Sequence, residues 1–180
     1  YDHGGGNLST FVGKAVASSL ADMYGSMTAA MTALAGPRHG KANQDCLVFV
    51  EELIKEMDGK SSLEKVEQLI RKRLEKGELL AGFGHAVLRD IDPRAVILYD
   101  IAHEKYPNKK KVKMAELLKT AGTKVLSENP KISNPHPNVD AISGIVLTAA
   151  GFPYPEYYTV LFGLSRLVGI SIQIVYERCT

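Results

Sequence analysis

Residues 42–59 read Ala42-Asn43-Gln44-Asp45-Cys46-Leu47-Val48-Phe49-Val50-Glu51-Glu52-Leu53-Ile54-Lys55-Glu56-Met57-Asp58-Gly59, and their spacing decides the fold class. Cys46, Val50, Leu53 and Met57 recur at three- and four-residue steps, with Leu47 and Ile54 widening the same stripe. That is the period of a helix burying one face, and Asp58-Gly59 predicts its end. Downstream, Ser61 and Glu64 have the spacing of a capping box, and Leu63, Val66, Leu69, Ile70 and Leu74 form one face before Gly77. Further helical patterns run from Ala95 to Ala102 and from Val112 to Val125, separated by Pro107-Asn108, and another begins near Val139. Upstream, Leu8 to Ala35 is rich in Ala, Met and Ser, which suits close helix packing. Strand-like alternation, βαβ alternation and internal repeats are missing, so the expected class is all-α.

The composition sets outer limits. A chain of 180 residues that is 45% apolar buries a core, and 22 basic against 20 acidic side chains leave a net charge of only +2. Nucleic acid and anionic lipid are therefore poor candidate partners. Cys46 and Cys179 lie too far apart for a CxxC site, which predicts a reducing, intracellular setting. Tyr157 to Tyr176 approaches the length of a membrane span but carries Arg166 near its middle, so a buried helix is the preferred reading. The chain opens on Tyr1 and stops at Thr180 inside a helical pattern, and both ends read as cut.

The turns carry the chemistry. Histidines fall in Asp2-His3-Gly4-Gly5-Gly6-Asn7, Gly36-Pro37-Arg38-His39-Gly40, Gly82-Phe83-Gly84-His85 and Asn134-Pro135-His136-Pro137-Asn138-Val139-Asp140. Glycines around His39 and His85 permit close approach of backbone to a ligand, although a structural turn fits each equally well locally. Asp140 follows a proline-stiffened loop, as a helix N-terminal residue or as a base on a rigid mount, and the local pattern favours capping. His103 reads as helix surface and His136 as loop. No HxH, HxxxH or HExxH spacing supports a metal, and no GxSxG elbow supports a serine hydrolase, with Ser143 and Ser165 inside helical patterns. Lys109, Lys110, Lys111 and Lys113 read as a solvated face with a secondary pull on phosphates. Arg94 and Arg166 lie among apolar neighbours, where each guanidinium needs a carboxylate, and a polycarboxylate substrate would supply one.

Asp2-His3 with Gly5-Gly6-Asn7, the run Leu34 to Gln44, Gly84-His85-Ala86-Val87-Leu88-Arg89 with Asp92-Pro93-Arg94, Asn138-Val139-Asp140, and Tyr158 to Arg166 together resemble the citrate synthase family along essentially the whole chain. The resemblance implies a multi-helical fold that condenses acetyl-CoA with oxaloacetate and hydrolyses citryl-CoA, with CoA as substrate and no permanent cofactor or metal. It implies Asp140 as the base, His39 as donor to the thioester oxygen, and His85 as the group polarising the oxaloacetate carbonyl. His3, Arg94 and Arg166 match residues that hold oxaloacetate or citrate. Leu79, Leu80, Ala81, Gly82, Phe83 and Gly84 match the segment whose backbone recognises the CoA adenine, with Asn138 and Phe162 as further pocket contributors. Residues 1–40 and 151–180 would then belong to a large domain and 41–150 to a small one that closes over substrate. The family is a homodimer whose active site borrows an arginine from the partner chain. Gly4, Arg38 and Lys41 depart from the family pattern. A 2-methylcitrate synthase using propionyl-CoA, and a binding module without catalysis, are the alternatives. The expected compartment is the cytoplasm, with the mitochondrial matrix as its alternative.

Overall fold

A computed structural model describes residues 7–57, 62–85 and 88–179. His3 and Gly4, together with Asp2, Asp58, Gly59, Ser61, Ala86 and Val87, lie outside the described residues. The order is α1 (Leu8–Ala17), α2 (Met23–Leu34), α3 (Ala42–Glu56), α4 (Leu63–Glu75), α5 (Pro93–Lys105), α6 (Lys110–Ser127), α7 (Ser143–Ala149) and α8 (Tyr158–Cys179), with 3-10 turns at Val139–Ala141 and Pro155–Tyr157. Among the described residues there is no β-strand, and the expected all-α class holds.

The chain divides into two compact units, one of residues 1–41 and 156–180 and the other of residues 42–155. In the first, α1, α2 and α8 enclose Ala17, Ala30, Ile170 and Ile174, with Met23, Met27 and Met31 packed around them. Small residues make this crossing tight: a Cβ on Gly13 would lie 3.2 Å from Ala30 Cβ and 3.4 Å from Ile170 Cγ2. Leu8 to Ala35 is thus two helices, reversed at Leu20, which takes a left-handed φ of 64° without being glycine. Asn7 and Asp22 cap the two N-termini by accepting the Thr10 and Gly25 amides.

In the second unit α3 buries the stripe read from its sequence: Cys46, Leu47, Val50 and Leu53 are each at most 1% exposed. They meet α6 and α7, and removing one such leucine side chain costs about 2–5 kcal/mol. Helix α4 starts one residue later than the capping-box spacing predicts. Ser62 is the cap, accepting the Lys65 amide at 3.2 Å, and its hydroxyl also holds the Glu64 carboxyl below the usual carboxylate range, after the backbone contribution at Glu64 itself. Gly77, at φ +75°, closes α4 by donating to Leu74 O.

Helix α8, expected as a buried helix, buries one of its sides. Gly163, Arg166, Gly169, Ile170 and Ile174 are buried, whereas Val160, Leu164, Val168 and Ile172 are exposed on the other side. By length and composition alone this helix is able to cross a membrane.

Candidate functional site

In the first unit, the segment after α2 turns sharply so that the Gly40 amide returns to Leu34 O at 2.8 Å and the His39 amide to Gly36 O at 3.0 Å. Only glycine fits at position 40, since a Cβ would sit 2.6 Å from Leu34 Cδ2 and 2.7 Å from Leu34 O. The turn sets the His39 ring edge-on to Phe162, centroids 6.1 Å apart. His39 Nε2 lies 2.9 Å from Ser9 Oγ and 3.4 Å from Arg166 Nη1.

Asn7 Oδ1 receives the Thr10 amide at 3.1 Å, Arg166 Nη1 at 2.8 Å and the Ser9 hydroxyl at 2.7 Å. Ser9 Oγ and Arg166 Nη1 thus both face His39 Nε2, whose donor or acceptor role follows the ring's tautomer. Arg166 is 4% exposed inside α8, bonds Asn7 Oδ1 and Ser9 Oγ (3.1 Å), and places its Cζ 4.4 Å over the Phe162 ring.

In the second unit, residues 82–85 and 134–141 are zipped together. Phe83 and Pro137 form an antiparallel bridge, the Gly84 amide donates to His136 O at 3.0 Å, and the Asn138 amide donates to Gly82 O at 2.9 Å. Asn138 Nδ2 adds a bond to Gly84 O at 2.7 Å. His85 Nδ1 accepts the Leu88 amide at 3.0 Å, so its neutral ring carries the proton on Nε2. Asp140 sits in the 3-10 turn, and Asn138, not Asp140, supplies the capping oxygen by accepting the Asp140 amide at 2.9 Å. The locally favoured capping role of Asp140 thus belongs to its neighbour two residues earlier.

Asp92, 1% exposed, organises the rest. As N-cap of α5 it accepts the Arg94 amide at 3.0 Å, grips the Arg94 guanidinium through Nε (2.8 Å) and Nη2 (2.6 Å), and also accepts the Val139 amide at 3.1 Å. Arg94 thereby has a carboxylate partner in its own turn. Cys46 donates to Ala141 O at 3.5 Å, and burial, reinforced by the Asp140 charge, pushes its thiol from 9.0 up to about 12. Leu79 is exposed, Leu80 buried and Ala81 half-buried. His103 is exposed on α5, His136 lies in the loop, and Lys111 pairs with Glu51. No group of three His, Cys, Asp or Glu side chains able to hold a metal occurs among the described residues.

Ser9 and Asp92 had no place among the sequence-predicted site residues. Asp92-Pro93 does carry a visible cap signal, but nothing in the local sequence announces that Ser9 meets Arg166, 157 residues away.

Fold and site together describe an all-helical protein whose inter-helix turns present imidazole and carboxylate groups and whose helices α5 and α8 carry guanidinium groups. The chain belongs to the citrate synthase family: residues 1–180 match the family described as citrate synthase, C-terminal domain. It is 44% identical over 177 residues to the mitochondrial citrate synthase of Xiphias gladius, covering 98% of this chain and 38% of that protein. The structure is similar to the citrate synthase of Thermoplasma acidophilum in its ternary complex with carboxymethyl coenzyme A and oxaloacetate, with TM-score 0.81, 35% identity, and coverage of 97% of this chain and 45% of that one. It is also similar to citryl-CoA lyase from Hydrogenobacter thermophilus, with TM-score 0.72, 25% identity, and coverage of 98% and 64%.

Proposed function

We propose that this chain is a catalytic portion of a citrate synthase, condensing acetyl-CoA with oxaloacetate and hydrolysing citryl-CoA to citrate and CoA. The observation that carries the reading is the fixed tautomer of His85: its Nδ1 accepts the Leu88 amide at 3.0 Å, so the neutral ring presents Nε2 as an N–H donor. A neutral donor suits a carbonyl oxygen that gains charge as bonds form.

In this reading the Asp140 carboxylate removes a methyl proton from acetyl-CoA. An ordinary carboxylate is a weak base for so weak an acid, and His39 offsets that mismatch by donating a ring N–H to the thioester oxygen as charge develops there. The new carbon nucleophile attacks the oxaloacetate carbonyl carbon, polarised by His85 Nε2–H, and forms citryl-CoA. Water then cleaves the thioester, releasing citrate and CoA. Arg94 and Arg166, with His3, hold the carboxylates of oxaloacetate, and the buried Asp92 keeps the Arg94 fork oriented. Residues 79–84 receive the CoA adenine through backbone groups, with Asn138 and Phe162 as further contributors.

The Thermoplasma acidophilum complex, with carboxymethyl coenzyme A and oxaloacetate, supports a CoA derivative and oxaloacetate as ligands. The Xiphias gladius relative is named mitochondrial, which favours the mitochondrial matrix over the cytoplasm as compartment. We assign the working form as a homodimer on the family resemblance, with residues 1–40 and 151–180 in its large domain and 41–150 in its small one.

The test is release of free CoA thiol by the full-length protein given oxaloacetate and acetyl-CoA, with propionyl-CoA run alongside. His39→Ala is expected to lower kcat by roughly 10²–10³-fold, the value of one well-aimed donor, while oxaloacetate affinity by calorimetry stays unchanged. Faster turnover of propionyl-CoA would move the assignment to a 2-methylcitrate synthase. Cleavage of citryl-CoA to acetyl-CoA without thiol release would move it to the lyase.

A further inference from the structure

Gly122 lies in the middle of α6, where glycine is the poorest helix former after proline and a packing reason is needed to keep it. The reason is Phe83. A Cβ on Gly122 would lie 2.5 Å from Phe83 Cζ and 2.6 Å from Cε1, so the ring occupies a notch that any larger residue would fill. Phe83 is flanked by Gly82 and Gly84, both left-handed at φ +82° and +76°, so its ring is the tripeptide's own side chain, and Asn138 Nδ2 bonds Gly84 O beside it. The backbone there is paired to residues 136–138. Gly82 in turn presses on the base-bearing turn, since a Cβ at position 82 would meet Ala141 Cα at 2.7 Å and Ala141 N at 2.8 Å.

We propose that Gly122 and Phe83 form a positioning latch, in which the ring seated in the α6 notch holds the paired loops and, through them, His85 and Asp140. The functional weight of the latch rests on the citrate synthase reading above, whereas its mechanical claim does not. Gly122 touches no substrate, and Phe83 enters the latch through its ring rather than through the backbone that residues 79–84 offer to the CoA adenine, so turnover is read at saturating acetyl-CoA. Their effect passes through contacts of Gly82 and Asn138 to the 3-10 turn, where an ångström of displacement separates a productive base from an idle one.

The experiment uses the full-length protein and two readouts. Gly122→Ala improves helix propensity, so a simple helix effect predicts gain or no change, and the latch predicts loss. Expected is roughly tenfold faster hydrogen exchange at amides 82–85, 136 and 138–141, with α4 amides unchanged. Turnover should fall about tenfold or more with the oxaloacetate KM held within about twofold. Phe83→Ala empties the notch without adding an atom to α6 and should reproduce both effects, so it carries the test if Gly122→Ala does not fold. The double variant should be no worse than Phe83→Ala alone, because no ring remains to collide. Unchanged loop exchange in either folded variant, loosened loops with full turnover, or additive losses in the double variant would overturn the latch. Loosened loops in a protein whose unmodified form releases no thiol from acetyl-CoA and oxaloacetate would support the mechanical claim and sink the functional reading instead.

Discussion

Cys46 ties the α3 core to the Asp140 turn through a thiol that burial keeps protonated up to about pH 12. The unfolded chain loses that proton near 9, so between these values the folded state binds more protons than the unfolded one. Stability is fully present below the lower value and falls as pH rises toward the upper. Tyr99, buried beside it with its hydroxyl also pushed up by burial, adds in the same direction. From pH 8 to pH 10 the thiol alone should cost about 1.4 kcal/mol. Cys46→Ala is therefore expected to lose that much less stability across the interval than the unaltered protein. Urea midpoints at the two pH values provide the check, and parallel losses in both proteins would remove the thiol from the account.

Helices α4 and α6 are joined by charge as well as by apolar contact. Lys124 Nζ bridges both Glu67 oxygens at 2.8 and 2.9 Å, and Glu67 is only 8% exposed, whereas the Arg71–Glu128 fork lies at the surface. Lys124→Ala strands a nearly buried carboxylate, so it should cost about 1–2 kcal/mol. Arg71→Ala strands groups that water re-solvates, so its loss should be the smaller. Urea unfolding of the two variants separates them, and an equal loss would show that burial of Glu67 does not set the cost. This is also the scale at which sequence is most legible. The α3 stripe, the Pro107-Asn108 break and Gly77 are local signals with a helical period or a backbone cause, and the folded chain uses each. The cap of α4 slipped by one because two adjacent serines offer the same hydroxyl. The reversal at Leu20 escaped because no Gly or Pro marks it. His39, His85 and Asp140 stood out because glycine and proline surround them. Their supports, Ser9 and Asp92, are short polar residues that acquire meaning only when a distant guanidinium or amide folds onto them.

For the molecule as a whole, the chain spans about 38% of the length of the Xiphias gladius relative, and α8 shows what that entails. Val160, Leu164, Val168 and Ile172 recur every four residues, each at least half exposed, opposite the face that holds Arg166, Ile170 and Ile174. A contiguous apolar stripe of this kind is costly in water and associates with whatever covers it. The isolated 180 residues should therefore self-associate as concentration rises, and Val168→Lys with Ile172→Lys should restore a single monomeric boundary in sedimentation velocity. The substituted positions lie away from the Arg166 and His39 contacts, so calorimetric binding of oxaloacetate to the isolated chain, if present, should survive the change. In the full-length protein the same pair should instead lower the unfolding midpoint, because there the charges would displace the covering chain. Monomeric behaviour of the unaltered fragment, or indifference of the full-length protein to two lysines, would show that this face of α8 is made to meet water.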